Sequence, residues 1–534
     1  MPSLADKTRE ELLKIAPGEL PRTSAAIISQ IEQLEAKVEW FEEQHRLALH
    51  RQFGTSSEQT PAGQEALLFN EAEVVAEAPV QEPELENISY TRRKVKGKRE
   101  VQLANLPVKE TEYRLPEEEQ VCPQCAGRLH EMGTEVRHEV ETVPATVFIR
   151  KHIRYKYACR HCQREEITTP VLVAPMPAPA FPNSLASPSS VAHIMTEKFV
   201  MGSPLYRQEQ QFARHDFQLS RQTMANWMIR GAGWLETMYE SLRQTLLAGD
   251  IIHADETTLQ VLREPGRAAQ ADSWAWLYRT GREGPPIVLF EYQPGRGGQY
   301  PKRFLGDFNG HLQVDGHGAY DGLSDKIILV GCWAHARRKF TDALKALPTA
   351  KKLANSKSPP TAQVGLDYCN KVFAIERELH DVTPQERLNG RLARTMPVLE
   401  QFKIWLDAQS NATLPKSALG VAITYCRNQW PKLIEFLNDG RLEVDNNRAE
   451  RSIKPFVIGR KNWLFANTPK GAKASTIIYS IIETAKENGL NPFAYLEHLF
   501  KTLPNIDTGD SGDVANLLPW AEDIRLQCCV RSRR

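Results

Sequence analysis

The chain has 534 residues and a formal net charge of +1, with 41% hydrophobic and 25% charged residues. That length gives several domains and at least one large core, in an ordinary water-compatible composition. A charge this close to zero excludes a uniformly basic nucleic-acid binder, so any such surface must come from local clusters.

No apolar run is long enough to span a bilayer, and Met1-Pro2-Ser3-Leu4-Ala5-Asp6 lacks the charged-then-apolar order of a signal peptide. The expectation is a cytoplasmic protein without a membrane partner.

In residues 1–54, the stretch from Ser24 to Ala48 predicts an amphipathic helix. Ile27, Ile31, Leu34, Val38, Phe41, His45 and Ala48 recur at alternating spacings of four and three. That is a short coiled-coil seam, although a helix hairpin within one chain gives the same pattern. Residues 55–100, rich in Glu, Pro, Ala and Ser, predict a linker that turns from acidic (Glu82, Glu84, Glu86) to basic (Arg92-Arg93-Lys94).

Residues 101–172 carry Cys122-Pro123-Gln124-Cys125 and Cys159-Arg160-His161-Cys162. Paired Cys-x-x-Cys knuckles in a cytosolic chain suggest metal rather than disulfides, with four thiolates around one structural Zn²⁺. The intervening segments Glu139 to Val143 and Val147 to Tyr155 read as strands with Pro144 in their turn.

Residues 173–248 are expected to be helical after a Pro-rich connector. Leu219 to Met228 fits the second helix of a helix-turn-helix, capped by Ser220, with Arg221, Gln222 and Asn226 facing DNA. It fits equally a scaffold helix with Trp227 in the core.

Residues 249–345 turn strand-rich: Ile251 to Leu262, then Trp274, Trp276 and Tyr278 in alternation, Ile287 to Phe290, His311 to Asp315, and Ile327 to Val330. Three serial strands followed by alternating strand and helix suit an α/β sheet of ribonuclease-H (RNase H) type. Residues 346–432 read as a largely polar helical insertion, and 433–505 return to the core with a helix from Ala474 to Asn488. Residues 506–534 are a tail ending in Arg531, Arg533 and Arg534. The fold expected is multidomain α+β: a coiled-coil helix, a zinc-binding β module, a helical DNA-binding region, and an RNase H-like core with a helical insertion.

Three carboxylates have distinctive settings: Asp255 after Ile251-Ile252, Asp315 between Leu312-Gln313-Val314 and Gly316, and Glu450 within Asp445-Asn446-Asn447-Arg448-Ala449-Glu450-Arg451. Together they suit two Mg²⁺ ions held against a phosphodiester. Alternatives exist at each place. Asp307, Asp321 and Asp325 compete with Asp315; Glu443 and Asp445 compete with Glu450, which also reads as a capping-box partner of Asn447. Cys332 and His335 form a Cys-x-x-His spacing without a second ligand pair, so it reads as a helix start carrying Arg337 and Arg338.

The residues resemble those of the insertion-sequence sixty-six family of DDE (Asp-Asp-Glu) transposases, nearly end to end. The resemblance rests on Arg51 to Glu58, both cysteine knuckles, Pro204 to Glu209, His253-Ala254-Asp255-Glu256-Thr257, Val314-Asp315-Gly316, Cys332 to Phe340, and Asp445 to Phe465. His317 stands where a Tyr is expected, and Asn183-Ser184 replaces a Lys-Gly pair.

The resemblance implies Asp255, Asp315 and Glu450 as the catalytic and Mg²⁺-binding trio of a bacterial, nucleoid-associated enzyme that binds terminal inverted repeats and performs strand cleavage and transfer. DNA contacts are then expected from Arg221, Arg337, Arg338, Arg448, Arg451, Arg460 and Lys461. A homo-oligomer on DNA and small accessory proteins of the same element are the expected partners. Two other readings are a catalytically inactive zinc-containing DNA-binding regulator and a structure-specific nuclease that never joins strands.

Overall fold

The computed structural model describes residues 147–153, 155–158, 171–347 and 360–530, with Leu34, Lys37, Val38, Trp40, Phe41, Glu42 and His45. The four zinc-ligand candidates, the linker and the terminal arginines lie outside the described residues. Of the predicted seam, Leu34, Val38, Phe41 and His45 are helical, and the first three are exposed. No helix among the described residues is long and apolar enough to cross a membrane.

A short antiparallel pair, β1 (Lys156–Ala158) and β2 (Val171–Val173), precedes three helices: α1 (Pro188–Phe199), α2 (Leu205–Arg214) and α3 (Arg221–Leu247). Ser220 caps α3 as expected, accepting from the Thr223 amide. The helix runs for 27 residues because buried positions keep recurring at threes and fours, from Met224 and Trp227 to Leu242 and Leu246. Trp227 is buried, as the scaffold reading has it, while Arg221, Gln222 and Asn226 remain outside the core.

The central sheet contains β3 (Ile251–Gln260), β4 (Asp272–Thr280), β5 (Val288–Gln293), β6 (Gly310–Gln313) and β7 (Ile327–Val330), in the order β5-β4-β3-β6-β7. The first three form an antiparallel meander, and β6 and β7 then add in parallel beside β3. Helix α4 (Gln299–Leu305) makes the crossover from β5 to β6. On β4, Ala275 to Tyr278 are all fully buried, because the strand is covered on both faces.

Helix α5 (Trp333–Ala346) leaves β7 and leads into the insertion: α6 (Thr361–Glu378), α7 (Pro384–Gly390), α8 (Met396–Ala412), α9 (Ala418–Asn428) and α10 (Trp430–Ile434). Despite its polar sequence the insertion has its own core, in which Phe402, Leu406, Ile423 and Cys426 pack with Trp333 and Phe340 of α5. Buried Arg391 pairs with Glu376 at 2.7 Å and donates to the carbonyls of Phe436, Asp439 and Leu442. The insertion thereby grips the segment that re-enters the main core.

That segment feeds α11 (Asn447–Trp463), followed by α12 (Pro469–Glu487), α13 (Pro492–Thr502), α14 (Ser511–Ala515) and α15 (Glu522–Cys528). Helix α12 begins ahead of the expected Ala474, because Thr468 caps it and Pro469 is preorganised for its first turn. Beyond burying Ile477, Ile478, Ile481 and Ile482, it covers a sheet edge. Ser480 Oγ accepts from the Phe290 amide at 2.8 Å, and Thr484 Oγ1 accepts from the Val288 amide and donates back to its carbonyl. The backbone groups of β5 therefore present no sticky edge.

Candidate active site

Register brings the first two carboxylates together. His253 on β3 is the partner of Gln313 on β6 in a parallel ladder, and Asp255 and Asp315 each lie two residues further on. The expected strand to Asp315 ends at Gln313, although the Val314 amide still reaches the Val330 carbonyl. The Asp315 carbonyl takes the Tyr425 hydroxyl at 2.9 Å instead, and Gly316 turns the chain at φ 92°. An Asp315 oxygen accepts the His317 amide at 2.8 Å, and an Asp255 oxygen accepts the Glu256 amide at 2.8 Å. Both side chains are thus held at backbone precision.

Glu450 arrives on the first turn of α11. The capping-box reading of Asn447 and Glu450 does not hold: the cap position is Asn446, and it makes no side-chain cap. Asn446 instead donates to the Ala254 carbonyl at 2.8 Å, while its backbone amide reaches Cys332 Sγ at 3.2 Å. Trp333 also donates its backbone amide to the Val444 carbonyl. One buried asparagine therefore joins β3, α5 and α11 beside Asp255.

Burial, and then the charges of Glu256, Asp315 and Glu450, hold the Asp255 carboxyl well above the usual carboxylate range. Like charges acting on one buried carboxyl favour the binding of a cation. Glu450 Oε1 is buried without a hydrogen-bond partner; His335 Nδ1 lies 3.7 Å from it, and the Arg338 guanidinium lies 3.5 Å from the other oxygen. An all-oxygen set with an unmatched buried acceptor fits a hard divalent cation.

The competing acids have other employment. Glu443 pairs with Arg448 at 2.7 Å and lies near Arg282 and buried His253. Asp445 accepts from the Asn447 amide and side chain. Asp307, Asp321 and Asp325 are exposed, and Asp321 pairs with Lys432.

The cations divide similarly. Arg338 is exposed over Glu450; Arg451 and Lys461 are exposed on α11; Arg337 donates to Asn370 at 2.8 Å; and Arg221 lies over the Tyr206 ring. Arg448 holds Glu443, and Arg460 holds Thr257 and Thr258 of β3.

Sequence reasoning missed Glu256. Its buried carboxylate accepts from Tyr320 at 2.6 Å and from two nitrogens of Arg296 at 2.6 and 2.9 Å. Tyr320 lies just after Asp315, so Glu256 ties β3 to the turn behind the second acid. The adjacent Asp-Glu pair on one strand was the signal, since neighbouring strand residues point to opposite faces.

Residues 183–474 match the family model described as Transposase IS66 family, more than half of the chain. The chain belongs to the IS66 transposase family.

Further matches cover the zinc-finger binding domain of transposase IS66 at residues 119–163 and the IS66 C-terminal element at 480–520. Residues 40–111 match the model described as Transposase C of IS166 homeodomain. Relatives include two uncharacterized proteins of Sinorhizobium fredii (strain NBRC 101917 / NGR234). The protein y4jD is 34% identical over 416 residues, covering 76% of this chain and 78% of the relative. The protein y4qI is 31% identical over 420 residues, covering 76% and 74%.

This IS66 chain is therefore a DNA transposase with a zinc-finger domain, and its DDE domain implies the use of divalent metal.

Proposed function

We propose that Asp255, Asp315 and Glu450 are the catalytic carboxylates of this transposase, set in an RNase H-like core. The meander β5-β4-β3 with β6 and β7 added in parallel supports that fold, and the parallel register of β3 and β6, with the charges of Asp315 and Glu450 acting on the buried Asp255 carboxyl, carries the assignment. The trio would hold two Mg²⁺ ions. Bound there, such a pair stabilises the attacking and leaving oxygens of an in-line displacement.

The chain's own residues do the rest. The Glu256 and His317 amides fix the carboxylate rotamers, and Asn446 sets the height of Glu450 over β3. Arg337, Arg338, Arg451 and Lys461 face the phosphate backbone, with Arg221 on the separate face of α3 toward the element end. Arg448 and Arg460 act chiefly by shaping that surface around Glu443 and β3. The reactions are hydrolysis at the terminal inverted repeat, then attack of the freed 3′-hydroxyl on target DNA.

Cys122, Cys125, Cys159 and Cys162 fall inside the zinc-finger match and are a donor set suited to one structural Zn²⁺. Working boundaries are 1–54, 55–100, 101–172, 173–248, 249–345, 346–432, 433–505 and 506–534. The enzyme acts in the bacterial nucleoid as a homo-oligomer on DNA, assisted by small proteins of the same element.

The test is cleavage of labelled end DNA in Mg²⁺ by wild type and Glu450→Gln. Loss of cutting with retained end binding supports the reading; wild-type cutting by the variant overturns it.

A further inference from the structure

The Cys-x-x-His pair that stood alone in the sequence acquires a third partner in the fold. Cys332 is the residue before α5 and His335 lies in its first turn. Glu450 comes from α11, and one ligand atom from each residue lies within 4.8 Å of the other two. No other such group of His, Cys, Asp and Glu occurs among the described residues.

Two features distinguish this cluster from chance proximity. His335 Nδ1 and Glu450 Oε1 are both buried polar atoms without a hydrogen-bond partner, and they face one another at 3.7 Å. Leaving such atoms unmatched is destabilising. The Cys332 sulfur, in turn, accepts the backbone amide of Asn446 at 3.2 Å, which holds it beside the start of α11. Burial pushes the Cys332 thiol up to about 12, so the thiolate that binds metal forms only as the ion displaces its proton.

We propose that Cys332 Sγ, His335 Nδ1 and the Glu450 carboxylate form a transition-metal site for Zn²⁺ or Co²⁺, separate from the zinc finger and sharing Glu450 with the Asp255–Asp315 pair. A thiolate, an imidazole and a carboxylate select borderline metals over Mg²⁺. Three protein ligands leave the fourth position open. Bonds of roughly 2.0–2.3 Å to tetrahedral zinc put ligand atoms roughly 3.3–3.8 Å apart. About an ångström of closure is therefore needed, and rotation of His335 and Glu450 supplies it. Binding replaces the thiol proton, which leaves to solvent, and the thiolate and carboxylate together neutralise the ion. His335 Nε2, now 3.4 Å from Arg338, then carries the ring proton, and the exposed Arg338 swings outward.

The site has a functional consequence that rests on Glu450 being catalytic. A carboxylate committed to zinc is withdrawn from the Mg²⁺ set, so zinc inhibits strand cleavage by competing for one shared ligand.

The test titrates Co²⁺ into full-length wild type, Cys332→Ser, His335→Gln and Glu450→Gln, reading visible and near-ultraviolet absorption. The zinc finger contributes equally to all four proteins and cancels in the differences. Wild type is expected to bind about one more Co²⁺ than each variant. The extra ion shows tetrahedral visible bands and a sulfur-to-cobalt charge-transfer band that Cys332→Ser abolishes. Should that buried substitution prevent folding, His335→Gln and Glu450→Gln read the same difference.

Superimposable wild-type and variant spectra overturn the site, whatever cleavage does. Zn²⁺ added to Mg²⁺-supported cleavage should inhibit wild type at concentrations at least about tenfold below those needed for His335→Gln. A cobalt difference without zinc inhibition leaves the metal site standing and removes Glu450 from the catalytic set.

Discussion

The side-chain amide of Asn446 donates to the carbonyl of Ala254 across 2.8 Å, joining the start of α11 to the residue next to Asp255. Its other atom, Oδ1, lies 3.1 Å from His253 Nδ1, which must therefore be the protonated ring nitrogen. This buried link fastens the start of α11 beside the first acid.

Asn446→Ala should therefore damage catalysis more than DNA binding. It strips the Ala254 carbonyl and the His253 ring of their buried partner, at about 1–3 kcal/mol of stability. Cleavage should fall by roughly 10–100-fold, the usual effect of losing a support behind a metal ligand. Urea unfolding and end-DNA cleavage measure the two effects. A variant that is destabilised but cuts normally would disconnect Asn446 from the site.

Asp255→Asn should abolish cutting while stabilising the protein in the absence of divalent cations. The Asp255 carboxyl titrates well above its unfolded value, so folding favours its protonated form. Stability is therefore lost as pH rises from the unfolded value toward the folded one, and a neutral amide escapes that loss. A gain in stability at neutral pH is therefore expected, read by urea unfolding. Mg²⁺ should raise the unfolding midpoint of wild type and leave the variant's unmoved. A variant less stable than wild type without metal argues against carboxylate crowding.

His253 sets an acid limit on stability. Burial pushes its imidazole down to about 4, partly offset by Glu443. Below the unfolded value of about 6.5 the unfolded chain takes up a proton that the folded protein refuses. Stability is complete above that pH and is lost as pH falls toward 4. From pH 7 to pH 5 wild type should lose about 2 kcal/mol more than His253→Gln, measured by urea unfolding without added divalent cations. Parallel pH profiles for the two proteins would contradict this origin.

Arg451 and Lys461 should contribute to affinity without contributing to sequence choice. Replacing either with Ala is expected to reduce the slope of log K against log salt by about one and to weaken specific and random DNA alike. Filter binding across a salt series decides it. An unchanged slope places that residue off the phosphate path.

Much of this was legible in the sequence for a local reason. β3 begins at Ile251, α3 is capped by Ser220, and α12 ends at Glu487 before Gly489, because alternation, capping and chain-breaking residues act over a few neighbours. Gly316 after Asp315 likewise marked a turn. By contrast, the insertion looked merely polar, since its apolar positions are diluted over five helices and converge only when Trp333 and Phe402 share a core.

By itself, the amino-acid order determined the strands, the capped helices, the family-defining blocks and the three acids in their local settings. Only the tertiary structure set how the acids are placed relative to one another. Asp255 and Asp315 are joined through a parallel ladder, and Glu450 through an asparagine almost two hundred positions from its partner. Glu443 and Asp445 competed with Glu450 in the sequence, and in the fold Glu443 pairs with Arg448 while Asp445 accepts from Asn447. Hydrogen bonds between distant segments leave no periodicity in a sequence, which is why the Cys332–His335 pair looked incomplete until α11 brought it a carboxylate.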